Sequence, residues 1–263
     1  VSLVTEGLRR LGAQVETASM SVPSLTHRRQ SPSEMRSANL AKVLARDKKL
    51  QQVAARINKA ASGAEAVIMP AIVGLDSQEA VEFIRGRVQK PLHFLSTMPP
   101  SVPGVRVQTL LRKHFASLGG VYMLGNTVTG GRIKDGHLHF VETSLLPDER
   151  LEADDFVLAT GSFASDGLKA NYERVYEPVF DLDTTAPADR MQWVSPSVFD
   201  DQPYMYYGVR VNASMQALKG GRAISNLYAA GAVLGGHNAA RQADGAGVDM
   251  VTALRVAQRI LEK

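Results

Sequence analysis

The C-terminal part of the chain combines a short apolar run, a glycine-broken loop and a helix, a pattern suited to holding a ligand. Residues 227–230 are small or apolar and are typical of a buried strand. The loop glycines that follow are Gly231, Gly235 and Gly236. Gly245 and Gly247 then begin a segment with apolar residues at helical spacing over 248–261. Because the first N–H groups of a helix are unpaired and partly positive, glycines there allow close approach by a ligand.

The residue before this helix is Asp244, and we expect its carboxylate to cap the free N–H groups. Its charge disfavours a phosphate at the same place. The sequence therefore favours a polarised neutral group or a delocalised anion at the start of the helix.

A second ligand-binding candidate lies at the end of the apolar run 156–159, which leads directly into Thr160 and Gly161. In open α/β sheets, ligands bind beyond the carboxyl ends of the strands. A glycine at that point lets the backbone approach a ligand with no Cβ in the way. An ordinary strand followed by a turn is the alternative interpretation.

The remaining polar candidates each have a plain structural interpretation beside the functional one. They are Arg36, Asn39, Ser101, Arg106, His137, His139, His237 and Arg241. His137 and His139 share one face of a strand, but two histidines without a carboxylate or Cys partner make a weak metal site, and we expect pairing within a hairpin. The pattern contains no Ser-His-Asp arrangement and indicates no metal, so we name no catalytic acid or base.

Composition excludes several classes of protein. The 263 residues suffice for one large domain or two modest ones. The absence of Cys excludes disulfides, thiolate metal sites and a Cys nucleophile. A net charge of +4 is too balanced to argue for nucleic acid binding, and we expect no membrane span. Since the chain starts at Val1 and not at Met, we expect a fragment or a processed product.

The elements that would position these residues alternate between helices and short strands. We predict helices at 5–11, after the capping box Ser31–Pro32–Ser33–Glu34, at 48–61, 77–88, 103–119 and 248–261. Predicted strands are 14–19, 66–69, 92–96, 121–124, 156–159 and 227–230, with a hairpin of 127–133 and 137–144 turned by Asp135–Gly136. The buried face of helix 103–119 is predicted to be Leu110, Leu111, Phe115 and Leu118. Residues 167–221 are interpreted as extended segments and loops.

This alternation predicts an α/β fold with an at least partly parallel sheet and a small antiparallel hairpin insertion. The order of "DDFVLATGS", "NLYAAGAVLGG" and the Gly-x-Gly helix start resembles the second half of flavoproteins with two dinucleotide-binding domains. The G-x-G-x-x-G of the usual first half is absent near the N-terminus. The segments "RSANLAKVLA" and "MPPSVPGVRVQTLLRKHFASLGG" further resemble the family of the B component of anaerobic glycerol-3-phosphate dehydrogenase, lacking its N-terminal portion.

The resemblance implies a partial Rossmann-like FAD-binding fold, with an α/β portion at 1–100 facing substrate or another subunit and the flavin-binding part at 101–263. It implies FAD or FMN, held by Thr160, Gly161, Gly231, Ala232, Gly235, Gly236, Gly245, Gly247 and Val248. Two positions depart from the family, since Asp244 stands where a Cys is common and His237 where a Phe is usual. We therefore expect a somewhat different flavin-binding mode.

The resemblance also implies a role in a complex that passes electrons from glycerol 3-phosphate, giving dihydroxyacetone phosphate, toward a membrane quinone pool. The implied partners are a catalytic subunit and a membrane-linked iron–sulfur subunit, with the complex peripheral to the cytoplasmic side of the inner membrane. Two alternatives stay open: another flavin oxidoreductase of fumarate-reductase-like or ketosteroid-dehydrogenase-like type, and an assembly subunit without a cofactor. The sequence does not decide whether the cofactor is FAD or FMN. It also does not decide which subunit oxidises the substrate or what the oligomeric state is.

Overall fold

A computed structural model describes residues 2–22, 25, 35–45 and 47–263. It divides into two compact units, Val1–Tyr122 and Met123–Lys263. The capping box at residues 31–34 lies outside the described residues. The domain boundary between residues 100 and 101 stays a prediction.

The first unit is a parallel strand pair packed against helices. Its elements are α1 Ser2–Arg10, α2 Ser37–Val43, α3 Asp47–Ala60, β1 Val67–Pro70, α4 Glu79–Arg87, β2 Leu92–Leu95 and α5 Val102–Ser117. Strand β1 pairs in parallel with β2, with Val67 opposite Leu92. Helix α3 buries one apolar face at helical spacing, and this face joins the core with residues of α4, β1 and β2. The helices predicted at 5–11, 48–61, 77–88 and 103–119, and the strands at 66–69 and 92–96, are confirmed within a few residues.

Helix α5 begins as predicted, but its exposure differs from the prediction. Ser101 is the N-cap, and its Oγ accepts a hydrogen bond from the Gly104 N–H at 3.2 Å. The expected buried face was wrong: the side chains concerned are all exposed, namely Leu110, Leu111, Phe115 and Leu118. Val102, in the first turn, is the buried residue of α5. Apolar periodicity marks the side of a helix that can be covered, but it does not say what covers it.

Two of the strand predictions were also wrong. Residues 14–19 and 121–124 adopt no strand in the structure. Each was predicted from a few apolar residues, and a strand forms only where a neighbouring strand accepts its hydrogen bonds. The local pattern carries no information about such a neighbour.

The second unit contains a three-stranded antiparallel sheet built around the predicted hairpin. Strands β3 Val128–Lys134 and β4 His137–Thr143 pair antiparallel, and the turn residues Asp135 and Gly136 have φ of 52° and 74°. The hairpin prediction is confirmed. Strand β5, Leu146–Leu151, pairs with β4 and was missed, because its polar sequence lacks apolar alternation.

A second sheet of this unit contains the strands β6 Phe156–Leu158, β9 Gln216–Lys219 and β10 Arg222–Ala229. The strand order in this sheet is β6–β10–β9. Strand β10 runs parallel to β6 and antiparallel to β9. The predictions of strands at 156–159 and 227–230 are confirmed, and the fold is mixed α/β with parallel pairs and an antiparallel hairpin.

The segment between these sheets is mostly loop, as predicted. It contains the short strands β7 Lys169–Ala170 and β8 Val175–Tyr176, and three-residue or four-residue turns of 3₁₀ helix. Glu177, 1% exposed, organises this segment because its carboxylate accepts hydrogen bonds from the N–H groups of Val179 at 2.8 Å and Phe180 at 2.7 Å. Burial raises the pKa of Glu177, and these backbone hydrogen bonds oppose the shift.

Two helices close the chain: α6 Ala239–Gln242 and α7 Gly245–Leu261. Helix α7, predicted at 248–261, packs Val256 against Tyr228 of β10 and against Met215, which directly precedes β9. Its N-terminal turns thereby lie next to the end of β10.

Candidate functional site

The two candidate loops leave the same edge of the second sheet. Because β6 and β10 are parallel neighbours, with Leu158 opposite Ala229, their carboxyl ends lie side by side. The Ala230 N–H donates to the Leu158 carbonyl at 3.0 Å, which extends the pairing by one residue. The loop that contains Thr160 and Gly161 and the loop that contains Gly231 and Ala232 therefore begin side by side at one edge of the sheet, where α/β sheets bind ligands.

The start of α7 is fastened to the end of β10 by a hydrogen-bond relay. The Gly231 N–H donates to Thr252 Oγ1 at 2.9 Å, and this hydroxyl donates to the Val248 carbonyl at 2.7 Å. Gly231 has a φ of 75°, and a Cβ there would lie 2.9 Å from Asp249 Oδ1. The positive φ thus favours glycine at position 231, and a Cβ there would also require the Asp249 side chain to move.

Gly235 is held by backbone contact with a residue that the sequence did not single out, Gly208. A Cβ on Gly208 would lie 2.1 Å from the Gly235 nitrogen, and a Cβ on Gly235 would lie 2.6 Å from Thr185 Oγ1. Thr185 Oγ1 also accepts from the Gly208 N–H at 3.0 Å. The Gly236 N–H donates to the Tyr206 carbonyl at 2.8 Å. Gly208 and Thr185 come from the loop-rich segment, where no periodic pattern marks them.

Gly161 is similarly constrained within its own loop. It has a φ of 80°, and a Cβ on Gly167 would lie 1.9 Å from the Gly161 carbonyl oxygen. The loop after β6 therefore closes tightly on itself, and both glycines are needed for that closure.

Gly247 differs from the other predicted site glycines. A Cβ on Gly247 would meet no atom within 4 Å, and its φ is not positive. At Gly245, by contrast, a Cβ would lie 3.0 Å from the Ala239 Cβ. A glycine inside a helix costs roughly 0.5–1 kcal/mol relative to alanine. Within the described part of the chain, neither packing nor backbone conformation accounts for Gly247, and open space lies beside it.

Asp244 is the N-cap residue of α7, but the expected capping bond is not formed. Its carboxylate makes no hydrogen bond to the first turn; instead Asp244 Oδ1 lies 2.6 Å from His237 Nε2. The Asp244 carboxylate therefore bonds to the His237 imidazole and not to the N–H groups of the helix. The prediction that Asp244 caps this helix was therefore wrong.

A polar cluster around Asp201 connects the loop after β10 with the loop-rich segment 167–221. Asp201 Oδ2 accepts from the Tyr206 hydroxyl at 2.9 Å and pairs with Arg241 Nη1 at 3.2 Å. Asp201 Oδ1 accepts from the buried Asn238 at 3.4 Å. Asn238 in turn caps α6, since its Oδ1 accepts from the Arg241 N–H at 3.1 Å.

Several of the other polar candidates have structural contacts. Arg106 donates to the Gly74 carbonyl at 2.9 Å, whereas Arg36 occupies the N-cap position of α2 without a side-chain capping bond. His137 pairs with Lys134 within the hairpin, as expected, and its ring meets His139 edge-on with 5.3 Å between the ring centroids. Its Nδ1 also lies 2.9 Å from Ser225 Oγ of β10. Across the described ranges, no three His, Cys, Asp or Glu side chains are placed to hold a metal ion. No described helix is both long and apolar enough to cross a bilayer.

Comparisons with known proteins show the family to which the chain belongs. The model of the FAD binding domain family matches residues 1–248. The chain is 38% identical over 259 residues to the B component of anaerobic glycerol-3-phosphate dehydrogenase from Yersinia enterocolitica, an alignment that covers 98% of this chain and 61% of the relative. It is 38% identical over 255 residues to the same component from Haemophilus influenzae, covering 95% of this chain and 59% of that relative.

The chain is therefore a homologue of this dehydrogenase component and spans about three fifths of the length of these relatives. No solved structure matches the chain.

Proposed function

Because the chain belongs to the FAD binding domain family, we propose that it is the FAD-binding part of one subunit of an anaerobic glycerol-3-phosphate dehydrogenase complex. In this role it passes electrons from glycerol 3-phosphate, which becomes dihydroxyacetone phosphate, toward a membrane quinone pool. The observation that best supports the proposal is Gly247, a glycine near the start of α7 at which an added Cβ would meet no atom within 4 Å.

The residues proposed to hold the flavin are those that the family resemblance implies. Thr160 and Gly161 would lie by the phosphates or the adenosine. The loop after β10 would pass the pyrophosphate and ribityl chain, through Gly231, Ala232, Gly235 and Gly236. The start of α7, with Gly245, Gly247 and Val248, would direct helix N–H groups toward the pyrimidine edge of the ring.

The donor set fits this cofactor. Asp244 turns its carboxylate to His237, so the N-cap side chain does not take up the first N–H groups of α7. The bound flavin supplies the redox chemistry, while the protein binds and orients it. The match to an FAD binding domain favours FAD over FMN.

The partners that we propose are a catalytic subunit and a membrane-linked iron–sulfur subunit. The relatives are named as one lettered component of the dehydrogenase, which supports assembly with other subunits. The complex would sit on the cytoplasmic side of the inner membrane. Residues 1–100 would face substrate or another subunit, and residues 101–263 would form the flavin-binding part.

A flavin titration with a matched pair of variants tests the proposal. We expect the chain to bind FAD saturably, with quenching of flavin fluorescence. Gly247→Val should weaken binding at least about tenfold, or ~1.4 kcal/mol, because a branched side chain fills the space beside the helix start. Gly86→Val is the control, since Gly86 is also a helical glycine at which an added Cβ would meet no atom within 4 Å.

Equal FAD affinity in both variants, with both folded, would show that the ring does not lie beside Gly247. Copurification with other subunits without any bound flavin would instead favour an assembly subunit. Flavin reduction by a dicarboxylate or a steroid, and not by glycerol 3-phosphate, would favour a different flavin oxidoreductase.

A further inference from the structure

Helix α5 leaves its apolar side uncovered. Its large apolar side chains recur at helical spacing and form one apolar stripe, which consists of Val107, Leu110, Leu111, Phe115 and Leu118. All five are exposed, with Leu111 at 64% and Leu118 at 74%. A continuous apolar stripe on an exposed helix marks a surface at which a protein or a membrane binds.

The first turns of α5 hold the helix to its unit, and the later turns extend away from it. Val102 packs against Leu75, and the Arg106 side chain donates to the Gly74 carbonyl at 2.9 Å. Every residue from 110 to 119, by contrast, is exposed. The apolar stripe is therefore accessible to a flat surface over the second half of the helix.

The charge on α5 is entirely positive. The helix carries Arg106, Arg112 and Lys113 and no acidic residue. The stretch 83–134 around it contains no Asp or Glu, although the chain has 26 of them. Helix α2, which packs against the first turns of α5, also lacks an acidic residue. A basic amphipathic helix of this kind favours an anionic partner.

Anionic lipid fits this combination better than a protein partner does. Lys is depleted in the cores of protein interfaces, whereas Lys113 lies within one turn of Leu110 and Leu111. On a membrane, the Leu and Phe side chains of a basic amphipathic helix enter the boundary between headgroups and acyl chains. The Lys and Arg side chains then extend along the apolar surface and keep their charges at the anionic headgroups.

We propose that α5 binds the surface of a bilayer that contains anionic phospholipid, with its apolar stripe toward the acyl chains. The helix lies parallel to the surface, and Arg112 and Lys113 reach the phosphate groups of the lipids. This contact belongs to the chain itself and adds to the membrane attachment proposed through a partner subunit. It needs no flavin and therefore goes beyond the proposed function.

Sedimentation with vesicles tests the requirement for charge. The flavin-free chain should bind vesicles that contain phosphatidylglycerol, should not bind vesicles of pure phosphatidylcholine, and should bind more weakly in high salt. Each basic residue near an anionic surface contributes roughly fivefold to binding, or about 1 kcal/mol. The double variant Arg112→Glu, Lys113→Glu should therefore bind at least about 25-fold more weakly.

The charge-matched control is Lys48→Glu, Lys59→Glu, which changes two exposed residues of α3. Charges that lie away from the lipid are largely screened, so this control should bind within about twofold of the wild-type chain. Circular dichroism of each variant would verify the fold, which these exposed positions should leave intact.

A fluorescent label tests the position of the apolar stripe, and the chain is suited to it because it contains no Cys. Leu111→Cys would carry one polarity-sensitive fluorophore. Its emission should shift to shorter wavelength on addition of phosphatidylglycerol vesicles, and nitroxides on the acyl chains should quench it. Leu254→Cys is the control, since Leu254 is a similarly exposed residue of α7 at 60%, and its emission should not change.

The proposal is wrong if the wild-type chain does not bind phosphatidylglycerol vesicles, and a polypeptide partner for the apolar stripe is then favoured. It is equally wrong if both double variants lose binding to the same extent, or if nitroxides on the acyl chains do not quench the label at position 111. Equal binding to phosphatidylcholine vesicles would refute the preference for anionic lipid. The FAD titration of the same chain decides the proposed function separately, because neither result depends on the other.

Discussion

The close contact between Gly208 and Gly235 allows the stability effect of Gly208→Ala to be predicted from distances. A Cβ on Gly208 would lie 2.1 Å from the Gly235 nitrogen and 2.2 Å from the Leu234 carbonyl carbon. These are backbone atoms, so no change of rotamer can relieve the overlap in Gly208→Ala. The two backbone segments must separate.

The expected cost of this separation exceeds the gain from restricting the unfolded chain. Overpacking of a buried site typically costs about 1–3 kcal/mol. Replacing glycine by alanine raises the free energy of unfolding by roughly 0.4–1 kcal/mol, because alanine restricts the conformations of the unfolded chain. The net loss of unfolding free energy for Gly208→Ala should therefore be about 1–2 kcal/mol, a fall in Tm of several degrees.

Gly247→Ala is the matched control, because a Cβ on Gly247 meets no atom within 4 Å and the residue is helical. Its stability should be unchanged or raised by up to roughly 1 kcal/mol. Urea and thermal unfolding of the flavin-free chain would measure both variants. A Gly208→Ala protein as stable as Gly247→Ala would refute the close packing of the two backbones.

Two further substitutions probe buried polar groups of the second unit. Asn226→Ala should lower the free energy of unfolding by roughly 2–4 kcal/mol, because the buried Asn226 side chain bonds both the N–H and the carbonyl of Leu138 at 2.8 Å. Urea unfolding would measure this loss, with Asn171→Ala at an exposed turn as the control. Equal losses in the two variants would contradict the role of Asn226. Burial raises the pKa of Glu177 above 4.5, so the folded state binds that proton more tightly than the unfolded state. The contribution of the protonated Glu177 carboxyl to stability is present below pH 4.5 and is lost as the pH rises through the higher folded pKa. Unfolding measured across this pH range should therefore show the wild-type protein losing stability relative to Glu177→Gln. Parallel pH curves for the two proteins would show that the Glu177 carboxyl is not desolvated.

The local elements could be predicted from the sequence because their signals are local. The Asp135–Gly136 turn is an example, since both residues tolerate the positive φ that the hairpin needs. The apolar runs at 156–159 and 227–230 similarly indicated buried strands, and the structure pairs these strands in parallel. The glycine at 247 could also be selected from its position at a helix start.

The tertiary structure alone decided which residues support these elements. Gly208 and Thr185 are more than twenty residues from Gly235 along the chain, and their contact depends on how an aperiodic segment folds. The partner of Asp244 likewise could not be read from the chain, because a carboxylate at an N-cap can bond to the helix or to a nearby imidazole. The choice depends on where His237 lies once the loop is closed. Local spacing determines which conformations a segment prefers, whereas the partner of each polar group is determined only when distant segments pack together.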